Sequence, residues 1–183
     1  MLDSLLFNDV LAEYFKNGGN LADIGSGCGC PAIPLKITFP QLNVTMLDSV
    51  RKKVDFLNET VKYLGLGDIR AVHTRIEDHP VGQMRGFYNF VTARAVAPLP
   101  TLLEYGLPLL KIGGFMFAYK GLNLESEIEQ SKRALDELGG EVLAVHTARL
   151  DDVTERKLLI VKKVHQSKSV YPRKKNLPRT SPL

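Results

Sequence analysis

Between Asn20 and Leu35 the chain reads "NLADIGSGCGCPAIPL", an apolar run that enters three alternating glycines and leaves through a proline-led segment. A strand ending in glycines commits the chain to a strand–turn–helix unit, because glycine turns sharply at positive φ and lets a ligand approach the bare backbone. Pro31 and Pro34 are compatible with the helix that follows, since first-turn N–H groups have no intrahelical partner. The alternation then repeats. "NVTMLD" reads as a strand, "SVRKKVDFLNETVKYLGL" as a helix, and "IRAVHT" and "FYNFVTARA" as strands. A helix near Leu99 to Leu107, the strand "GGFMFAYKG" and a long helix around Leu124 to Leu138 come next. "EVLAVHTARL" and "RKLLIVKKV", joined by "DDVTE", close the series as an antiparallel hairpin. This order predicts an α/β fold: a doubly wound, seven-stranded, mostly parallel, Rossmann-like sheet with one antiparallel strand in the C-terminal hairpin.

Residues 1–164 are expected to form one domain, opened by a helix over 2–16 in which Leu2, Leu5, Leu6, Val10, Leu11, Tyr14 and Phe15 share a face. One face of that helix packs either on the body or on material outside this chain. Residues 165–183 read as an irregular basic tail. From Lys162 onward there are seven Lys/Arg and no Asp or Glu, so the net charge of +4 belongs to this end. Such a tail either meets a phosphate-rich partner or merely solubilises the chain. No apolar run approaches the roughly 20 residues that span a bilayer. The first residues lack the basic-then-apolar pattern of a signal peptide, so a cytoplasmic address is expected, with no membrane partner. The two cysteines, Cys28 and Cys30, sit in the glycine loop, a poor geometry for a disulfide, and the four histidines are scattered; no metal site is expected. Oligomeric state is not legible.

In sheets of this kind ligands bind beyond the carboxyl ends of the strands, where the first strand delivers Gly25, Gly27 and Gly29. A dinucleotide fingerprint would need its third glycine at position 30, which is Cys30, and this argues against a nicotinamide oxidoreductase. The spacing G-x-G-x-G suits S-adenosylmethionine, which has no pyrophosphate to cradle. Asp48, 19 residues beyond Gly29, is placed to accept the ribose hydroxyls, or else caps the helix after it. Asp23 either touches the methionine ammonium or orders the loop. Ile76 and Glu77 in "RIED" fall where an adenine meets an apolar wall with a polar edge.

Methyl transfer from a sulfonium is largely a matter of alignment. Carbon methylation of a pyrimidine calls for a cysteine near the fourth strand, and amine methylation typically uses [DN]-P-P-[FYW] after it; this chain reads "TARAVAP" there. A ring nitrogen such as guanine N7 has a free lone pair and no proton to lose, so it needs no general base. Arg94 and Lys120, each at a strand end, are compatible with that acceptor as catalytic-site cations, and equally with ion-pair roles.

"LDSL" at Leu2 to Leu5, "DIGSGCGCPAIPL", "LDSVRKKVDFL", "TRIED", "TARAVAPLPTLLEYGLPLLKIGGFMFAYKG" and "YPRK" followed by "SPL" resemble the ribosomal RNA small-subunit methyltransferase G family, also called glucose-inhibited division protein B. The resemblance runs in order along nearly the whole chain. It implies a cytoplasmic enzyme with a class I methyltransferase fold that uses S-adenosylmethionine to make N7-methylguanosine in 16S ribosomal RNA, free or in an assembling small subunit. Carried over by position, Gly25, Cys30, Ile76, Glu77 and Arg94 would bind the cofactor, with Asp48 on its ribose. Arg75, Lys120, Arg173 and Lys174 become candidates for phosphate or guanine contacts. The chain departs from the family's common pattern at Cys28, Cys30, Ala32, Asn176 and Thr180. The resemblance also implies a further helical segment ahead of "LDSL". Two other readings stay open: a small-molecule methyltransferase, for which no long insertion after the fourth or fifth strand supplies a lid, and a non-catalytic RNA-binding module with a vestigial loop.

Overall fold

The computed structural model describes residues 2–77, 84–149 and 155–183. Its strands are Gly19–Ile24 (β1), Leu42–Asp48 (β2), Ile69–His73 (β3), Tyr88–Arg94 (β4), Leu110–Lys120 (β5), Gly140–Arg149 (β6) and Glu155–Lys163 (β7). Among the described residues they make one sheet in the order β3-β2-β1-β4-β5-β7-β6. β1 lies parallel to β2 and β4, β2 to β3, and β4 to β5. β7 runs antiparallel to both β5 and β6, so it alone is reversed. The doubly wound sheet with a terminal hairpin is therefore present; the "DDVTE" loop lies largely outside the described residues.

Consecutive apolar residues appear in these strands because both faces are covered. Along β7, Leu158 and Ile160 enter one core layer while Leu159 and Val161 enter the other. Helices Asn8–Phe15 (α1), Ala32–Thr38 (α2) and Arg51–Tyr63 (α3) cover the first face. They do so through Leu11, Phe15, Leu35, Val54, Leu57 and Val61. Helices Leu99–Gly106 (α4), Leu124–Gln130 (α5) and Lys132–Leu138 (α6) cover the second, contributing Leu99, Leu102, Leu103, Leu124, Ala134 and Leu138. The change of face falls between β1 and β4, which opens a crevice at their carboxyl ends.

The opening segment is shorter as a helix than its apolar spacing predicts. Leu2–Ser4 is a 3-10 turn, the amide of Asn8 donates to the Leu5 carbonyl, and α1 begins only at Asn8. The first turn is held elsewhere: the Asp3 carboxylate is bound by arginines of β4 and β7. α1 itself packs on the body. Phe15 meets Phe39, Phe90 and Phe117 edge to face, with ring centroids 4.8 to 5.4 Å apart.

The long helix expected over Leu124 to Leu138 is broken at Ser131, whose hydroxyl donates to the Glu127 carbonyl at 2.6 Å. A side chain that binds the preceding turn competes with the backbone ladder and bends the helix.

The basic tail is irregular except for a four-residue helix, Leu177–Thr180 (α7), but it is packed on the body. The Arg85 guanidinium donates to the carbonyls of Ser167, Lys168 and Tyr171, and Thr101 Oγ1 donates to the Pro178 carbonyl at 2.6 Å. No helix among the described residues is long and apolar enough to cross a membrane.

Candidate active site

Two cavities adjoin at the carboxyl edge of the sheet, and both are walled by Ala95 and Val96. Ala95 leaves β4 in the left-handed region, at φ 56°. That conformation costs an alanine about 1–2 kcal/mol and persists only where the surroundings impose it.

The first cavity, about 300 Å³, lies over the ends of β1, β2 and β3. Gly25, Asp48, Ile76 and Glu77, read from the sequence as cofactor residues, line it, and so does Arg75, read there as an RNA contact. Gly25 sits at φ 66°, and a Cβ there would stand 2.8 Å from Val96 Cγ2. Smallness is required at that position on both counts. Gly29 (φ 88°) is constrained from beneath, where a Cβ would meet Ile33 Cδ1 at 2.5 Å. Asp48 Oδ2 accepts from the Gly27 amide and Oδ1 from the Val50 amide, each at 2.9 Å. The same carboxylate thus clips the loop to β2 and starts α3 while facing the cavity.

Asp23 lies wholly buried under the loop, 0% exposed, and is not part of the cavity wall. Thr92 Oγ1 donates to its Oδ1 at 2.7 Å. Its Oδ2 has no partner among the described residues. Burial pushes this carboxyl up to about 6, with the Thr92 hydroxyl and the charge of Arg94 pulling the other way, while the Ser26 hydroxyl donates to the Asp23 backbone carbonyl. A buried acceptor without a donor is a costly feature for a fold to retain. An ammonium or similar donor is what the arrangement lacks, and this fits a ligand bearing an amine.

The second cavity, about 550 Å³, lies over the ends of β4 and β5 and the start of β7. Arg94, Lys120 and Arg156 bring three cations to it, and Asp3 and Glu127 bring two carboxylates. Arg94 Nη1 meets Asp3 Oδ2 at 3.1 Å, and Arg156 Nε meets Asp3 Oδ1 at 2.9 Å. Lys120 Nζ meets Glu127 Oε2 at 2.6 Å and the Ala97 carbonyl at 3.2 Å. The amide of Leu99 also donates to Glu127 Oε2, at 2.6 Å. Arg94 and Lys120 therefore are ion-pair partners and also face the chamber. Neither cavity has a His or Cys in its described lining, and no group of three or more His, Cys, Asp or Glu clusters as a metal site among the described residues.

Other candidates are placed differently from their sequence reading. Arg173 is held within the chain: its Nε and Nη2 grip both oxygens of Glu104 at 2.9 and 2.7 Å, and Glu104 is 0% exposed. The buried carboxylate has first claim on that guanidinium. Lys174 and Arg75 are exposed. Cys30 lines neither cavity; its thiol lies beside Cys28 and Ser4, and burial raises its pKa. Of the three loop glycines only Gly25 lines the first cavity.

Asp3, Glu127, Arg156, Tyr105, Asn176 and Arg179 are site residues that the sequence reading passed over. Asn176 and Arg179 come from the tail, which thereby forms one wall of the first cavity. Asp3 stood within the quoted "LDSL", whereas Glu127 carries no signal apart from a charged helix.

The profile of the GidB family, described as rRNA small subunit methyltransferase G, matches residues 1–159. Among curated proteins, Ribosomal RNA small subunit methyltransferase G of Desulforamulus reducens is 44% identical over 168 residues, covering 90% of this chain and 69% of that protein. The protein of the same name from Staphylococcus aureus strain JH9 is 45% identical over 182 residues, covering 97% and 76%. Among solved structures, geranyl diphosphate C-methyltransferase from Streptomyces coelicolor, in complex with S-adenosyl-L-homocysteine, superposes with a TM-score of 0.64 at 14% identity. That match covers 85% of this chain and 79% of the other, and it speaks for the fold alone.

Proposed function

We propose that this chain, which belongs to the ribosomal RNA small subunit methyltransferase G family, methylates N7 of a guanine in 16S ribosomal RNA. It is an S-adenosylmethionine-dependent RNA methyltransferase by family. The observation that carries the reading is the shared Ala95–Val96 wall between a ribose-type carboxylate cleft and a cation-lined chamber. S-adenosylmethionine supplies an electrophilic methyl group. Asp48, Ile76 and Glu77 would hold its nucleoside half, and Asp23 Oδ2 its ammonium. Arg94 and Lys120, fixed by Asp3 and Glu127, present positive charge to a base that offers acceptors at O6 and N7.

Lys174, exposed on the tail, and Arg75, exposed at the first cavity, would meet the phosphates around that base. The substrate is 16S RNA, naked or within an assembling small subunit, and the site of action is the cytoplasm. The test is incorporation of labelled methyl into 16S RNA from cells lacking the enzyme, followed by mass spectrometry of the nucleosides. N7-methylguanosine is expected; label confined to small molecules or protein would overturn the assignment. Thermal stability should rise with S-adenosylhomocysteine, because a ligand of the native state alone must stabilise it.

A further inference from the structure

N7 is chemically alike in guanine and adenine, so an N7 methyltransferase that acts on guanine must read another part of the ring. Guanine presents O6 and N7 as acceptors on one edge and N1–H with the 2-amino group as donors on the other; adenine has an unprotonated N1 and no 2-amino group. A carboxylate oxygen facing the donor edge accepts from guanine and repels the N1 lone pair of adenine.

Among the described residues the second cavity has two carboxylates, and one of them has an oxygen to spare. Asp3 has Arg156 on Oδ1 and Arg94 on Oδ2. Glu127 has both of its partners, Lys120 and the Leu99 amide, on Oε2. Among the described residues Oε1 receives no hydrogen bond, and the Glu127 side chain is 26% exposed. Glu127 lines the second cavity and not the first, so it stands away from the side where a donor would sit. The purine ring separates N7 from the 2-amino group, and a base with N7 toward the shared Ala95–Val96 wall turns its other edge away from that wall.

We propose that Glu127 is the guanine-reading residue, its Oε1 accepting from the N1–H and 2-amino edge of the base in the second cavity. This rests on the guanine N7 reading above. When N7 gives its lone pair to the methyl carbon, the electrons of the broken S–C bond stay with sulfur and the ring becomes cationic. Its N1–H and amino protons then become better donors, so a bond to Glu127 strengthens toward the transition state. The contact serves rate as well as choice of base. Lys120 and the Leu99 amide hold the carboxylate by its other oxygen, which leaves Oε1 no need to reorganise.

The test compares 16S RNA assembled by ligation with guanosine or inosine at the methylated position. Inosine keeps N7, O6 and N1–H and lacks only the 2-amino group. The intact enzyme should prefer guanosine by about tenfold in kcat/KM, the size of one lost hydrogen bond to a charged group. Glu127→Gln should methylate guanosine more slowly and bring the guanosine-to-inosine ratio close to one, with unchanged affinity for S-adenosylhomocysteine. A slower variant that keeps the parent ratio would reduce Glu127 to an anchor for Lys120 and overturn the proposal. Should Glu127→Gln fail to fold, equal rates of the intact enzyme on the two RNAs would overturn it alone. If the intact enzyme methylates neither RNA at N7, the guanine reading itself falls, which is a different result from an altered ratio.

Discussion

The amide of Gly27 donates to Asp48 Oδ2 at 2.9 Å, tying the tip of the glycine loop to the end of β2 across 21 residues of sequence. Because the other oxygen takes the Val50 amide, no neutral isostere can satisfy both donors in the same way. Asp48→Asn has one acceptor oxygen where two are needed and should cost about 1–3 kcal/mol of stability. A lower melting temperature and roughly tenfold weaker binding of S-adenosylhomocysteine, by calorimetry, are the expected readings.

Asp23 should make cofactor affinity depend on pH. Its carboxyl is raised by burial to about 6, from an ordinary 3.8. In the ligand-free protein the stabilisation associated with that raised value is fully present below about pH 4 and is lost as pH rises through about 6. An ammonium placed on Oδ2 favours the ionised form, so affinity should strengthen from pH 5 to 7 and level off above. Asp23→Asn should weaken binding and flatten that profile in a titration series over pH 5–8.

Arg173 and Lys174 are neighbours with opposite expected phenotypes. Arg173→Ala leaves Glu104 as an uncompensated buried charge and should cost about 3–5 kcal/mol. It should also loosen the wall that Asn176 and Arg179 make in the first cavity. Lys174→Ala should leave thermal stability alone. Its RNA affinity should fall, with a salt dependence flatter by about one phosphate contact, measured by filter binding at several salt concentrations.

Gly25→Ala tests the loop directly. The substitution adds left-handed strain of about 1–2 kcal/mol and a Cβ that must displace Val96. Since Val96 walls both cavities, binding of donor and of RNA should both weaken. Gly65→Ala, also at positive φ but with open space around it, should show the strain and keep the binding.

The sheet and its loop were legible because their signals are local: apolar runs, turn residues and glycine spacing act within a few positions of where they are read. The same holds for Gly25, Asp48, Ile76 and Glu77, which follow strands whose ends the pattern locates. The pairing of Arg173 was not legible because its partner, Glu104, lies 69 residues earlier, and nothing in "YPRKK" distinguishes a paired guanidinium from a free one. Glu127 reads as one more charge on a solvated helix, because its partners, Lys120 and the Leu99 amide, lie outside α5. The opening helix was overextended because apolar spacing does not reveal that Asp3 is bound by two arginines.

The reversal of β7 has a consequence for how such a scaffold can be retuned. Parallel strands can offer only their last residues to the functional rim, but an inverted one contributes its first, and Arg156 arrives there by that route. Substitutions entering through the terminal hairpin can therefore reshape the second cavity while the ends of β1 to β3, which line the first, stay as they are.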